Sequence, residues 1–345
     1  MWSSRTRRWA LRVGLVGVGS LALAACSISP YAVIINGQRI SVASLDAELN
    51  QITSNKSFVA QVESGHEQVF GAGAGTYSST FTSQILNRRI SVDLVEQRLA
   101  QLKLPVSNQE LAIASSVAVA GFGGSSVFSQ FPKAYQQQLI SDTAALDTFE
   151  AHLVNVQLTS SAIEAYYKSN LATFTQYCAS QILVPTVAEA SALRAKIIAG
   201  ASFASVAQAS SQDPNTASRG GAVGCGQSSS YVQAFGAAFA SAVVGTPLNT
   251  PSAPVQTSSG YSLVEVTSKS VPPVSSVVSE VVSSLLGPKA QTLLGAAIQQ
   301  SARNSTFVVN PQYGSLSVNS TGGVGVIPPA VPSLGAQQFF KTPSA

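Results

Sequence analysis

Apolar residues recur at spacings of three and four over long parts of the chain, which is the pattern of amphipathic helices. Between residues 41 and 174 this spacing predicts a mostly helical region. Its longest apolar stripe extends from Ile85 to Leu102. Stripes of this length need other helices to cover them, so the amino-terminal half is expected to form a helical domain with its own core.

Two pairs of residues in this region have the signature of a helix start. A serine followed three residues later by glutamate has the spacing of a capping box, in which each side chain satisfies a backbone N–H of the first turn. This spacing occurs at Ser107 and Glu110 and again at Ser161 and Glu164. We therefore expect a helix to begin at both places.

The pattern changes in the middle of the chain, where a short apolar strand spans Ala179 to Val184. A helix is predicted from about Thr186 to Ala199, followed by a second helical turn and the glycine pair Gly220–Gly221. A further helix and a strand pair ending at Gly260–Val266 complete the stretch. This order of elements predicts a small α+β unit of about 90 residues.

The carboxy-terminal part returns to a helical pattern. Apolar residues from Val277 to Leu286 form a two-column stripe, which Gly287–Pro288 should kink or break. A short strand is predicted at Thr306–Asn310. A stripe this apolar must be buried, and the amino-terminal helices are the available partner. Residues 319–345 are rich in Gly, Pro and Ser and predict a disordered tail.

Residues 1–25 have the features of a signal peptide. Four arginines precede an uncharged run from Val13 to Ala25, which is shorter than the roughly 20 apolar residues of a spanning helix. The segment ends in small residues followed by Cys26, which looks like a bacterial lipobox. We expect Cys26 to carry a lipid. The alternative is an ordinary secretory peptide with an incidental cysteine at this position.

The basic character of the chain belongs to this segment. The sequence has 19 Lys and Arg residues against 15 Asp and Glu residues, and four of the basic residues lie in the first 25 positions. The predicted mature chain is therefore formally neutral. Binding to nucleic acid needs clustered basic residues, and none are visible. No second apolar run of spanning length appears, so the lipid would be the membrane attachment.

The residue types that usually hold metals or perform catalysis are few. The chain has two histidines, His66 and His152, and three cysteines, none at the spacing of a zinc site. Neither histidine is accompanied by a nucleophile motif, so both are expected to be ordinary surface or packed residues. No cofactor and no metal are predicted.

The stretch from Tyr177 to Val266 resembles the parvulin (rotamase) family of peptidyl-prolyl isomerases. Four pieces occur in the family's order and near its spacing: Ala179–Val184, Gly200–Ala207, Ser211–Gly224 and Gly260–Val266. The resemblance implies a parvulin-like domain with a four-stranded antiparallel sheet and surrounding helices. It also implies the family's activity, the cis–trans isomerisation of peptide bonds that precede proline.

A second resemblance concerns Ala32–Ser41, which is predicted as a strand, an Asn-Gly turn and a helix entered at Ser41 or Ser44. This opening is similar to the start of the amino-terminal chaperone domain of SurA- and PrsA-type foldases. In such proteins the carboxy-terminal segment returns to the first domain. The resemblance therefore implies an α+β chain of four mature parts: a helical chaperone domain (26–174), an inserted parvulin-like domain (175–270), a completing helix and strand (271–318) and the tail.

Isomerisation requires weakening the partial double bond of an amide, whose barrier is about 20 kcal/mol. A catalyst has to hold the proline ring in an apolar cup and offer polar groups to the twisting amide. By the resemblance, the cup consists of Val223, Tyr231 and Phe235, with Tyr231 at the family's usual methionine. Packing in the core is an equally good interpretation of Val223 and Phe235.

The polar floor departs from the family pattern. Asp213 matches the family's Cys or Asp position, but Gln181 and Ser262 stand where the family has its two histidines. Ala222 replaces the aspartate that usually follows the glycine pair. Gln and Ser still form hydrogen bonds, and they are also tolerated as polar residues of a site that no longer works. Loss of two oriented polar groups favours weak or absent catalysis.

The resemblance also places Cys178 and Cys225 on neighbouring strands. In an oxidising compartment this predicts a disulfide, and the alternative is two buried free thiols.

Three functions remain open. The preferred one is a lipid-anchored, extracytoplasmic chaperone at the cell membrane, which binds unfolded or nascent exported polypeptides and carries a degenerate rotamase unit. The second is an active peptidyl-prolyl isomerase on the same scaffold. The third is a structural lipoprotein without client proteins.

Overall fold

The computed structural model describes residues 30–318 and 324–329. The predicted signal peptide and Cys26 lie outside the described residues. The described chain forms a mostly helical domain and a smaller α+β domain, and this α+β organisation confirms the fold class expected from the sequence.

The chain enters through a hairpin, β1 (Tyr31–Ile35) and β2 (Gln38–Ser41), joined by Asn36 and Gly37. Both turn residues have positive φ, which matches the twist of a tight hairpin and lets the chain pair back on itself. A turn leading directly into a helix was predicted here, and strand β2 between them was not. Ser41 then caps the first helix, and its Oγ accepts from the Ser44 N–H.

Helices make up the rest of the amino-terminal domain: α1 (Val42–Ser54), α2 (Lys56–Ser64), α3 (Ser79–Leu102), α4 (Asn108–Gly121), α5 (Gly124–Phe128), α6 (Lys133–Val154), α7 (Ser160–Ser169) and α8 (Leu171–Phe174). Helix α3 carries the long apolar stripe, and Leu86, Ile90 and Leu94 from it are buried in the main core. The helical region was therefore predicted correctly.

One of the two expected capping boxes forms. Ser107 and Glu110 exchange the two reciprocal hydrogen bonds at the start of α4. At the other place the prediction is wrong, because Thr159 caps α7 and its hydroxyl accepts from the Ala162 N–H. Thr159 has the extended backbone of an N-cap residue, and Ser161 already lies within the first turn.

The carboxy-terminal segment completes the helical domain, as expected. Helix α13 (Val278–Arg303) follows the smaller domain and is non-helical at Gly287, directly before Pro288. Its first half packs against α4, α7 and α8, and its second half against α3 and α6. Strand β7 (Phe307–Val309) then pairs antiparallel with β1, giving the strand order β2-β1-β7.

The expectation of a disordered tail from residue 319 is wrong where the structure describes it. Strands β8 (Ser315–Val318) and β9 (Val324–Ile327) form an antiparallel hairpin on α3. Val326 is 2% exposed, and the Asn87 side chain accepts from its N–H. Alternating apolar residues give the hairpin a face that α3 covers. Residues 319–323 and 330–345 lie outside the described residues.

The smaller domain contains the predicted four-stranded antiparallel sheet, in the order β4-β3-β6-β5. Its elements are β3 (Gln176–Val184), α9 (Val187–Ile198), α10 (Phe203–Ser210), β4 (Ala222–Gln227), α11 (Ser228–Phe235), α12 (Ala237–Gly245), β5 (Val255–Thr257) and β6 (Gly260–Ser270). Side chains alternate along β3: Tyr177 and Ala179 belong to the core under α11 and α12, and Ile182 and Val184 to the core under α9 and α10.

Within residues 30–318 and 324–329, none of the helices combines the length and the apolar character that crossing a bilayer requires.

Candidate functional site

A cleft of about 330 Å³ opens on the sheet of the smaller domain. It brings together residues from β3, β4, α11, the β5–β6 hairpin, β6 and the loop after α10. Its lining residues are Gln181, Leu183, Asp213, Asn215, Thr216, Arg219, Val223, Ala234, Phe235, Thr257, Ser258, Ser259 and Ser262.

The three predicted polar residues lie together on the floor of this cleft. Gln181 Nε2 donates to Asp213 Oδ2 at 2.7 Å, and Ser262 Oγ donates to Gln181 Oε1 at 3.5 Å. All three side chains are buried, with Asp213 8% exposed and Ser262 1% exposed. The amide of Gln181 therefore connects an acceptor on one side to a hydroxyl donor on the other.

Asp213 also receives hydrogen bonds from the turn that follows it. The Thr216 hydroxyl donates to Oδ2, and the Asn215 N–H donates to Oδ1 at 3.1 Å. Burial by itself would raise the pKa of Asp213. The bonds from Thr216, Asn215 and Gln181, together with the nearby Arg219 guanidinium, outweigh that effect and lower the pKa below its ordinary value. Asp213 is thus a carboxylate that only accepts hydrogen bonds.

Strand β3 positions this floor through its backbone. The Leu183 N–H donates to Ser211 Oγ at 3.1 Å, and the Leu183 carbonyl accepts from the Gln212 N–H at 2.8 Å. Two residues earlier on the strand, the Gln181 N–H donates to the Gly221 carbonyl at 2.8 Å. The loop that carries Asp213 and the glycine turn are therefore both attached to the strand that carries Gln181.

Glycine is required at position 221. Its φ is +85°, and a Cβ there would lie 2.4 Å from the Gln181 carbonyl oxygen. A side chain would separate the turn from β3, so the glycine pair that the sequence analysis singled out is a structural part of the site.

The apolar side of the cleft includes two of the three predicted cup residues. Val223 lies on β4, and Phe235 lies at the end of α11, 4.6 Å from the Phe239 ring between centroids. Leu183 and Ala234 add to this wall and were not among the sequence candidates. The wall is therefore built from both strands and from the helix that follows β4.

Tyr231, the third predicted cup residue, does not line the cleft. It is 4% exposed in the core between the sheet and α12. Its hydroxyl lies 2.7 Å from the Tyr177 carbonyl oxygen and 2.8 Å from that of Gly224. The phenol is long enough to reach the backbone of two strands, so it binds them and leaves the cup to shorter side chains.

The structure joins Cys178 and Cys225 by a disulfide. The two residues face each other in the antiparallel pairing of β3 with β4. Cys178 is half-buried and Cys225 is exposed.

Several polar residues line the cleft that sequence reasoning did not single out: Asn215, Thr216, Arg219 and the hairpin residues Thr257–Ser259. A signal for Thr216 was available, since a hydroxyl three residues after Asp213 falls within the turn that the aspartate starts. The hairpin residues Thr257–Ser259 carry no comparable signal, because only the pairing of β5 with β6 brings them to the cleft.

Within residues 30–318 and 324–329, no three His, Cys, Asp or Glu side chains form a group that could hold a metal ion. His66 follows α2, and His152 lies in α6 with its ring 6.5 Å from that of Phe149. Both belong to the helical domain and not to the cleft.

Comparison with known proteins agrees with this geometry. Residues 184–268 match the family model for rotamase, the PPIC-type PPIase domain. The foldase protein PrsA of Clostridium kluyveri is 25% identical over 303 residues, which are 79% of this chain and 86% of that protein. The PrsA foldase of Geobacillus kaustophilus is 28% identical over 182 residues, 51% of this chain and 60% of that protein.

Solved structures of PrsA proteins are also similar. The structure from Streptococcus pneumoniae has 17% identity and a TM-score of 0.35, and covers 80% of this chain and 94% of that one. The structure from Bacillus cereus has 17% identity and a TM-score of 0.34, and covers 83% and 95%. Over most of its length the chain is therefore similar to PrsA foldases, and within it residues 184–268 match the parvulin-type rotamase domain.

Proposed function

We propose that this protein is an extracytoplasmic foldase, attached to the cell membrane by a lipid at Cys26, that binds unfolded exported polypeptides. Its rotamase cleft retains the shape of a proline site and has weak or no isomerase activity. The similarity to PrsA foldases over most of the chain supports the first part of this proposal. The composition of the cleft floor supports the second.

The observation that carries the proposal is that the polar side chains of the floor form hydrogen bonds with one another. Asp213 accepts from Gln181 and Thr216, so the carboxylate occupies one of the two amide hydrogens of Gln181 and the hydroxyl hydrogen of Thr216. The histidines of the family pattern are absent from the floor, where Gln181 and Ser262 stand instead. A twisting prolyl amide would therefore meet few free donors, and preorganised donors account for much of the catalysis in sites of this kind.

Substrate binding does not require those donors. Val223, Leu183 and Phe235 offer an apolar wall to a proline ring. Burial of the ring against this wall gives affinity but does not speed up isomerisation, because the wall binds the ring equally well in the ground state and in the transition state. Unfolded polypeptides expose many such prolines, which suits a site that holds clients.

Two assays on the chain without its signal peptide, with Cys26 replaced by Ser, test the proposal. The first measures cis–trans isomerisation of a proline-containing model peptide, and the second measures suppression of the aggregation of an unfolded protein. We expect little or no isomerisation and clear suppression, with suppression retained in Asp213→Ala. Failure to suppress aggregation would contradict the foldase function and favour a structural lipoprotein without clients.

An active isomerase is the second candidate, and the continuous chain of hydrogen bonds from Ser262 through Gln181 to Asp213 and Thr216 favours it. In that case the first assay gives substantial isomerisation that Asp213→Ala abolishes. Asp213→Asn keeps the size of the side chain and serves as the matched variant, since it replaces only the carboxylate acceptor.

The lipid anchor is tested separately on the full-length protein. Labelled fatty acid should be incorporated and the protein should partition with membranes, and Cys26→Ser should abolish both. Release of an unlipidated mature chain from the wild type would identify an ordinary secretory peptide.

A further inference from the structure

Strand β4 carries one wall of the cleft, but its own sequence and edge position do little to fix the register of its pairing. It is an edge strand of the four-stranded sheet and pairs with β3. Its sequence, Ala-Val-Gly-Cys-Gly-Gln, contains two glycines and one β-branched residue. Glycine-rich strands at an edge have weakly specified registers, because they bury few side chains.

The register of β4 determines where Val223 points. Ala179 faces Gly224, but the next residue of β3, Ser180, faces Ala222. Val223 is therefore the extra residue of a β-bulge, and a bulge redirects the side chain it carries. In the observed register Val223 lines the cleft and packs against the core under α11 and α12.

The disulfide lies two residues from this bulge. Cys178 faces Cys225, and since side chains alternate along β3, the bond lies on the face of the sheet opposite to Gln181. A slip of one residue would move every side chain of β4 to the other face of the sheet. The covalent link prevents that slip while leaving the cleft unobstructed.

A second brace acts on the other face. The Tyr231 hydroxyl lies within hydrogen-bond distance of one carbonyl on each strand, that of Tyr177 and that of Gly224. These two residues flank the cysteine pair along the strands. The β3–β4 pairing is thus fixed from both faces beside the bulge, covalently on one face and by a hydrogen bond on the other.

We propose that the Cys178–Cys225 disulfide is a positioning element of the cleft, which fixes the register of β4 and so directs Val223 at the substrate. This inference rests on the proposed binding of proline-containing segments. It predicts that the contribution of Val223 to binding exists only while the disulfide is closed.

A double-mutant cycle tests the coupling. Affinity for a fluorescent proline-containing peptide is measured for the disulfide-bonded protein, Val223→Ala, the Cys178→Ser/Cys225→Ser variant and the combination. Val223→Ala should weaken binding about fifteenfold with the disulfide present, the loss expected for removing two buried methyl groups. It should have less than about a twofold effect without the disulfide.

Leu183→Ala is the matched control, because Leu183 lines the same cleft from the central strand β3. It should weaken binding equally in both backgrounds. Equal effects of Val223→Ala in both backgrounds would overturn the proposal, since the disulfide would then not determine where Val223 points.

Should the cysteine variant fail to fold, the folded wild type is reduced with dithiothreitol. The dithiol gives two electrons and two protons to the disulfide and becomes a cyclic disulfide itself, leaving two thiols on the protein. The same affinities are then compared for the oxidised and the reduced forms of the wild type and of Val223→Ala.

Hydrogen exchange separates failure of this inference from failure of the proposed function. Protection of the Gln181 N–H, which donates to the Gly221 carbonyl, and of the β4 amides should fall when the disulfide is opened. Tyr231→Phe should lower it further, because it removes the remaining brace. Unchanged protection would overturn the proposal, and a loss of protection without peptide binding would support it while contradicting the proposed function.

Discussion

Asp213 shows how a single residue can keep its place in a site while its neighbours change. Its carboxylate accepts from Thr216 and from the Asn215 N–H, both within four residues along the chain, and only the bond from Gln181 comes from the sheet. The local turn therefore holds most of the network. Gln181, which stands where the family pattern has a histidine, donates to this carboxylate.

Replacement of this carboxylate should cost stability. Asp213→Asn can place an NH2 group, which does not accept hydrogen bonds, opposite the donors of Gln181 and Thr216. We therefore expect the free energy of unfolding at pH 7 to fall by about 1–3 kcal/mol. Because the pKa of Asp213 is lowered in the folded state, its stabilising effect is present above the ordinary value of 3.8 and is lost as the pH falls below it. The difference between wild type and variant, measured by urea unfolding, should shrink at acid pH. Exposed Glu189→Gln should show no such difference.

The pKa of Asp147 in α6 is shifted in the opposite direction to that of Asp213. Burial, with the charge of nearby Glu150, raises its pKa to about 7, and its Oδ2 has no hydrogen-bond partner. An acid with a raised pKa stabilises the fold fully below its unfolded value of 3.8, and that contribution is lost as the pH rises towards 7.

Asp147→Asn should therefore stabilise the helical domain at pH 8, on the order of 1 kcal/mol after screening by solvent, and have little effect at pH 4. Thermal unfolding of both proteins at the two pH values measures this. A benefit that is equal at both pH values would show that the charge of Asp147 is not the cause.

The missing histidines can be restored. Gln181 and Ser262 contact each other on the cleft floor, so Gln181→His with Ser262→His should raise the isomerisation rate at least about tenfold. Gln176 and Ser270 are the same residue types, paired at the far end of the same two strands and exposed. Gln176→His with Ser270→His is the control and should leave the rate unchanged.

At the scale of elements, the glycine turn before β4 determines whether the floor forms. Gly221 accepts from the Gln181 N–H, and its positive φ and lack of a side chain allow that contact.

Gly221→Ala should destabilise the rotamase domain by more than about 2 kcal/mol, because it adds a collision with the Gln181 carbonyl to the backbone strain. Gly200→Ala is the control, with a similar positive φ and open space around a Cβ, so it pays only the backbone cost. Denaturant unfolding of the two variants gives the comparison. Equal losses would mean that the close approach at Gly221 does not matter.

At the scale of the whole molecule, the helical domain depends on both ends of the described chain. β1 is the central strand of β2-β1-β7, and its residues Val33 and Ile35 are fully buried. The rotamase domain lies between these ends in sequence, and its sheet contains strands from residues 176–270 alone.

Truncation after residue 305 should therefore loosen the helical domain and spare the rotamase domain. We expect hydrogen exchange to increase in β1 and α1, which lose β7 and part of their core, and to stay the same in β3 and β6. Truncation after residue 329 keeps every described element and should change neither. Loss of protection in both domains would contradict their independence.

Much of the architecture followed from local sequence. The helical stripes and the break at Gly287–Pro288 were predicted, because periodicity and turn residues act within a few positions of the chain. The four-stranded sheet and the return of the carboxy-terminal strand to the first domain were expected from the family resemblance. The elements that were not predicted depend on contacts between distant parts of the chain. β2 and β9 are short strands that exist through pairing and packing, and a single sequence shows no partner for either of them.

For the site, too, some features could be predicted from the sequence and others depend on the tertiary structure. The sequence by itself determined which residues are candidates, since its resemblance to the rotamase family indicated Asp213, Gln181, Ser262, Val223 and Phe235. Only the tertiary structure decided that Tyr231 leaves the cup to bind two strands, that Leu183 and Thr216 enter the site, and that Val223 occupies a bulge. Contacts between strands depend on register and on which face a side chain takes, and those are properties of the paired sheet and not of any one segment.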